Sequence, residues 1–142
     1  MYKDILFTVD LGHESSWKKA LPIAVEYAKT FGSTLHVMTV VPDFGMSIVG
    51  QFFPEDFAQK ALDGAAAKLQ AFKNANVPDG IPVQDIVASG VIYDEILATA
   101  KQIDADLIVI GAHRPDLKNH LLGPNAARVA RHSEHSVLVV RD

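Results

Sequence analysis

The chain has 142 residues, 49% of them hydrophobic and 21% charged, with a formal net charge of −4; this is a globular balance for one domain, and its sign argues against nucleic acid as a partner. Cysteine is absent, which removes disulfide scaffolds, thiolate metal sites and cysteine nucleophiles. No apolar run reaches membrane-spanning length and an apolar strand starting at Ile5 leaves no room for a signal peptide, so a cytoplasmic protein with no membrane partner is expected.

The first element is Ile5-Leu-Phe-Thr-Val9, a short apolar run closed by Asp10-Leu-Gly12, which reads as a buried parallel strand. Ser15 and Ser16 are candidate caps for a helix running to about Phe31 with Gly32 as its stop, and Pro22 inside it predicts a bend or a later start. Thr34 to Val41 is a second strand stopped by Pro42. Residues 42–53, with Gly45, Gly50 and Phe52-Phe53, read as a mobile loop, and Pro54 suits the first position of the next helix. Ala58, Ala61, Leu62, Ala65, Leu69 and Phe72 mark one face of that helix. Asp79-Gly80 turns into a third strand, Val83 to Ala88. Gly90 then precedes a helix with Ile92, Ile96, Ala100 and Ile103 on one side. Leu107 to Ile110 and Ser136 to Val140 are the fourth and fifth strands.

Strands alternating with helices imply an α/β fold, a doubly wound parallel sheet of five strands with about four helices. In such sheets a ligand sits beyond the C-terminal strand ends, where the strand order reverses. With the order 3-2-1-4-5, that crevice lies between strands one and four, which end at Asp10 and Gly111.

Asp10 could accept hydrogen bonds from two ribose hydroxyls, or it could cap the turn at Leu11-Gly12; the residues leave both readings open. Gly111 and Gly123 bracket a strand–loop–helix passage of the kind that can hold phosphate, a weak signal on its own, since glycine is also the default punctuation where φ must be positive. The loop between them carries His113, Arg114, Lys118 and His120; Arg114 could grip phosphate oxygens in a bidentate manner, and the loop could as well be a solvated surface. Its histidines have neither cysteine nor paired carboxylates to complete a metal site. Ser15, Ser16, Ser89, Ser133 and Ser136 have no nucleophile-elbow context, and no His–Asp pairing at a strand end is legible. His132 and His135 suit the C-terminal end of a helix, where the dipole favours imidazolium. No enzyme signature stands out. The apolar strand Ser136 to Val140 at the expected sheet edge points to a homodimer joined through that strand, unless residues 42–53 cover it.

Over nearly its whole length the chain resembles the universal stress protein family. Met1-Tyr-Lys-Asp-Ile-Leu-Phe-Thr-Val-Asp10 resembles the opening strand, Leu35-His-Val37 the second, Ser89-Gly90 with Asp94-Glu-Ile96 the third loop and helix, and Ser136-Val-Leu-Val-Val-Arg141 the last strand. His113-Arg-Pro115 with Leu121-Leu-Gly123, Asn125-Ala-Ala and Val129…Arg131-His132 is similar to a small enterobacterial-type branch. The resemblance implies an adenine nucleotide alpha hydrolase-like sheet, usually dimeric, often with ATP in the crevice. It implies Asp10 on the ribose or adenine, backbone around Thr8 and Val37 along the base, and Gly111 beneath the ribose. Gly123 and its successors Pro124 and Asn125 would then stand at the phosphates. The family pattern is Gly, two residues, Gly, nine residues, Gly-Ser/Thr. Here Gly111 and Gly123 keep the outer positions, Arg114 replaces the middle glycine, the spacer is one residue shorter, and Pro124 replaces the hydroxyl residue. As a function, the resemblance implies a cytoplasmic stress-response protein binding ATP or AMP, with or without Mg, as a regulatory ligand. The alternatives are a nucleotide-free dimeric module and slow Mg-dependent ATP hydrolysis.

Overall fold

Period-two alternation along the first strand sets the layering. In Asp4–Thr8 (β1), Ile5 and Phe7 pack to one side and Leu6 to the other, all of them fully buried. The computed structural model describes residues 1–42, 57–112 and 123–141. Four further strands are Thr34–Pro42 (β2), Val83–Gly90 (β3), Leu107–Gly111 (β4) and Ser136–Val140 (β5). All pairings are parallel and the order is β3-β2-β1-β4-β5, as expected. In register, Leu6 lies opposite His36 on one side and Ile108 on the other, and Ile108 opposite Val137.

Four α-helices occur among the described residues: Ala20–Phe31 (α1), Phe57–Asn76 (α2), Ile92–Gln102 (α3) and Pro124–His132 (α4). Ala24, Val25 and Ala28 of α1, with Leu69 and Phe72 of α2, cover the face carrying Ile5, Phe7, Val37 and Val109. Ile96 and Ala100 of α3, with Ala126 and Val129 of α4, cover the face carrying Leu6, Met38, Ile108 and Ile110. The central strands are therefore buried on both sides, which is why they read as continuous apolar runs.

Several local expectations change. Ser15 and Ser16 do not cap α1; they belong to a 3-10 turn, Glu14–Ser16, and α1 starts later, after Lys19, with no side-chain cap. Pro22 explains the start: it is the third helical residue, where an N–H has no intrahelical acceptor to lose. Gly32 does end the helix, at φ 63°, a left-handed conformation that a Cβ would penalise. β3 runs two residues beyond Ala88, to Gly90. On α2 only Leu69 and Phe72 are buried; Ala61, Leu62 and Ala65 are half-buried and Ala58 is exposed. Pro54 and the loop residues 43–53, including Gly45, Gly50, Phe52 and Phe53, lie outside the described residues. No helix among the described residues is long and apolar enough to cross a membrane.

The graded burial of α2 makes a quantitative expectation. Leu69→Ala should lower unfolding stability by about 2–5 kcal/mol, the range for truncating a fully buried leucine. Leu62→Ala should lower it by clearly less, because its side chain is already partly in water. Urea denaturation of the two variants measures the difference, and equal losses would contradict this packing.

Candidate functional site

The chain passes from β1 outward to β2 and β3, then returns to place β4 on the other side of β1, so the strand order reverses between β1 and β4. Beyond those strand ends lies a cavity of about 480 Å³, within the usual range for small-molecule sites. One part of its wall is apolar: Met38 and Val40 from β2, Ile92 and Ile96 from α3, Ile110 from β4. The other part is polar, built from the β1 end, the turn after it, and the start of α4.

That turn is organised by Asp10. Its Oδ1 accepts the Gly12 N–H at 3.0 Å, and its Oδ2 lies 2.9 Å from Nδ1 of His13. The His13 N–H donates to the Asp10 carbonyl at 3.0 Å, closing a tight loop. The Ser16 hydroxyl accepts the Asp10 N–H at 3.0 Å and has the carbonyls of Asp10 (3.0 Å) and His13 (2.8 Å) within reach of its proton. Trp17, just beyond, meets the Phe72 ring edge-on at 4.9 Å and so fixes the turn to α2. Of the two readings of Asp10, the turn cap is directly visible. Each carboxylate oxygen still has a second lone pair, and Asp10 is part of the cavity wall with its side chain 60% exposed.

A His–Asp pair therefore does stand at a strand end, contrary to the expectation from sequence. The residues are three apart in a turn, and without the turn geometry their spacing carries no periodic signature. His13, Ser15 and Ser16 join the cavity wall, as do the apolar residues of α3. The helical pattern marked Ile92 and Ile96 as core residues, with no signal that they also face a cavity.

The glycines act differently from the punctuation reading. Neither Gly111 nor Gly123 has a positive φ. A Cβ at Gly111 would collide with the backbone carbonyl of Ser16, so the glycine is required by close approach: it lets the Asp10 turn settle on the end of β4. Gly123 is the N-cap of α4, and its N–H is already donated to the Ala112 carbonyl at 3.2 Å. Pro124 is the first helical residue and has no N–H. The Ala127 N–H closes the first turn onto the Gly123 carbonyl at 2.9 Å. This leaves the N–H groups of Asn125 and Ala126 without an intrahelical acceptor, and both residues line the cavity.

Of the residues expected from sequence, Thr8, Asp10, Gly111, Gly123 and Asn125 come together in this one cavity. Val37 does not line it. Its side chain packs with Phe7 and Val109 on the opposite face of the sheet, and its neighbour Met38 takes the place along the wall. Pro124 is exposed and is not part of the wall. Arg114 lies outside the described residues, as do His113, Lys118 and His120. Among the described residues no group of three or more His, Asp or Glu side chains could hold a metal ion. His132 does stand in the last turn of α4, while His135 lies beyond its C-cap. A separate polar cluster, His36 between Gln84 (2.6 Å) and Asp4 (2.8 Å), sits at the opposite end of the strands.

Comparison with known proteins agrees with the fold. The profile described as "Universal stress protein family" matches residues 1–141. Universal stress protein G of Shigella flexneri is 32% identical over 143 residues, covering 99% of this chain and 100% of its own. A universal stress protein of Methanocaldococcus jannaschii is 26% identical over 161 residues, covering 99% of this chain and 96% of its own. The solved structure of that protein matches with a TM-score of 0.77 at 28% identity, covering 100% of this chain and 97% of that one. The structure of the universal stress protein from Archaeoglobus fulgidus in complex with dAMP matches with a TM-score of 0.62 at 22% identity, covering 97% of each chain.

The contact at Gly111 is testable without any ligand. Gly111→Ala should destabilise the fold by about 1–3 kcal/mol, as overpacking against fixed backbone does. In Gly12→Ala the added Cβ meets only the Asp10 carboxylate at an ordinary 3.4 Å, so its loss should stay within roughly 0.5 kcal/mol. Equal stability of the two variants in urea would refute the role given to Gly111.

Proposed function

The chain belongs to the universal stress protein family, and from that premise we propose that its crevice binds an adenine nucleotide, ATP or AMP, as a regulatory ligand in a cytoplasmic stress response. The observation that carries this reading is the division of the cavity at the β1–β4 reversal. Its apolar part, Met38, Val40, Ile92 and Ile96, suits a flat heteroaromatic base. Its polar part offers the Asp10 carboxylate as an acceptor for ribose hydroxyls and the Asn125 and Ala126 N–H groups as donors for phosphate oxygens, with the positive end of α4 behind them. The dAMP complex of the Archaeoglobus fulgidus relative supports an adenine nucleotide as the ligand class.

Pro124 and Gly123 qualify the phosphate end. Two of the four N–H groups that open α4 are missing or already used, so base and ribose supply most of the affinity, and phosphate adds less than a full helix N-terminus would. That feature also favours the second reading, a nucleotide-free dimeric module. For either reading we propose a homodimer through Ser136–Val140: β5 is an outer strand, hydrogen-bonded on one side to β4, with Val137, Leu138 and Val139 half-buried. A divalent cation such as Mg would arrive with the phosphates, since the described residues offer no cluster to hold it. Slow hydrolysis is the reading with least support.

Calorimetry with adenosine and ATP tests the nucleotide reading, together with mass analysis of small molecules released on denaturing the purified protein. Asp10→Ala should weaken both ligands about tenfold or more, the loss of a charged hydrogen-bond partner. Pro124→Ser, which restores an N–H and a hydroxyl at the start of α4, should tighten ATP severalfold and leave adenosine nearly unchanged. Failure of the wild-type protein to bind or retain any adenine compound would favour the nucleotide-free module. For the dimer, light scattering at micromolar concentration should give twice the chain mass; a monomer there would rule it out.

A further inference from the structure

Among the described residues that line the cavity, only Asp10 and His13 are ionisable. No lysine or arginine of the described wall is available to neutralise a phosphate. No acidic residue stands in the first turn of α4, and the first-turn carboxylates of α3, Asp94 and Glu95, are not part of the wall. Glu14, next to His13 in the turn, is likewise outside the wall. The charge presented to a ligand by the described wall is therefore set by one imidazole and one carboxylate.

The pair has a defined chemistry. An ionised carboxylate only accepts, so at 2.9 Å from Oδ2 the Nδ1 atom of His13 carries the proton, and Nε2 is the ring nitrogen left unengaged by Asp10 on a residue that lines the cavity. With the ring neutral, Nε2 is an acceptor, matched to a hydroxyl and repelled by a phosphate oxygen. With the ring protonated, Nε2 becomes a charged donor, and Asp10 balances the imidazolium from behind, as carboxylates do for paired histidines elsewhere.

We propose that His13, oriented by Asp10, is the phosphate-selecting side chain of this crevice: on a phosphorylated ligand it takes up a proton and donates from Nε2, whereas on a nucleoside it stays neutral. This rests on the nucleotide reading above and adds to it a residue and a direction. Phosphate affinity rises as the pH falls, because the competent form of the ring is the protonated one. The adenosine part of the ligand is unaffected, since base and ribose contact the apolar wall and Asp10.

The test is calorimetry of the full chain with ATP, AMP and adenosine at about pH 6 and about pH 8. Two buffers of different ionisation enthalpy are used, so that proton uptake is counted directly. His13→Gln is the comparison; the side chain is 65% exposed, so the fold should tolerate the change. Phosphates titrate in the same pH range, and the difference between wild type and variant cancels the ligand's own protons. Wild type should bind ATP and AMP at least about threefold more tightly than His13→Gln at the lower pH, a charge-assisted against a neutral donor. At the higher pH wild type should lose this advantage and bind ATP and AMP no more tightly than the variant, and proton uptake should be larger in wild type. Adenosine should bind both equally at either pH. If ATP and AMP show the same pH profile and proton count in the two proteins while adenosine still binds, His13 is not the phosphate contact and the nucleotide reading stands. If no adenine ligand binds wild type at all, the nucleotide reading falls and this inference with it.

Discussion

Strand β4 ends on a residue without a Cβ, and the carbonyl of Ser16 occupies the space that a side chain would fill. Because Ser16 belongs to the turn following β1, the contact holds the C-terminal ends of two neighbouring strands in a fixed relation. The cavity is what remains between this turn, the apolar residues of β2 and α3, and the start of α4. A side chain at position 111 would lift the turn away and take Asp10 and His13 with it. The conformational freedom usually invoked for a loop glycine is irrelevant here, since Gly111 has an ordinary backbone conformation. Close packing at one α-carbon places the polar half of the crevice.

Asp10 gains its position from the same turn. One carboxylate oxygen holds the Gly12 N–H and the other holds His13, while Ser16 ties the backbone beneath. These bonds are local and exist without any ligand, so the carboxylate is preorganised, and a ligand approaching it has little side-chain entropy left to remove. The structural and the ligand-binding readings of Asp10 are therefore compatible: the turn bonds aim a group whose remaining lone pairs are available. The same logic extends to His13, whose tautomer is set by its partner before anything enters the cavity.

The opening of α4 balances helix formation against anion binding. Proline at the first position favours the helix because its φ is already fixed, yet it removes a donor from the place where a helix best receives negative charge. Gly123 gives its N–H to Ala112, which seals the end of β4 rather than serving a ligand. The two N–H groups that remain, on Asn125 and Ala126, define a narrower anion site than an unobstructed helix start, and they raise the weight that side chains must carry there.

The alternation of apolar runs with helical periodicity was enough to foretell the parallel sheet, because burial on both faces leaves an unmistakable composition in Ile5–Phe7, Leu35–Met38 and Leu107–Ile110, whereas the strand order, and with it the reversal point, entered as a premise that the structure bears out. Asp10 and Gly111 were legible as site candidates for the same reason: they are the first polar or glycine residues after buried runs, and the topology makes strand ends meet. Helix boundaries set by local backbone geometry were less legible, as the late start of α1 after Lys19 shows. So was the choice between adjacent strand residues at the wall, where a one-residue step separates Val37 on one face from Met38 on the other. The pairing of His13 with Asp10, the use of the Gly123 N–H by Ala112, and the steric demand at Gly111 were decided only in three dimensions. Each depends on atoms brought together by chain crossings or by a turn with no periodic pattern, and hydrophobic periodicity, the signal a single sequence carries best, does not encode such contacts.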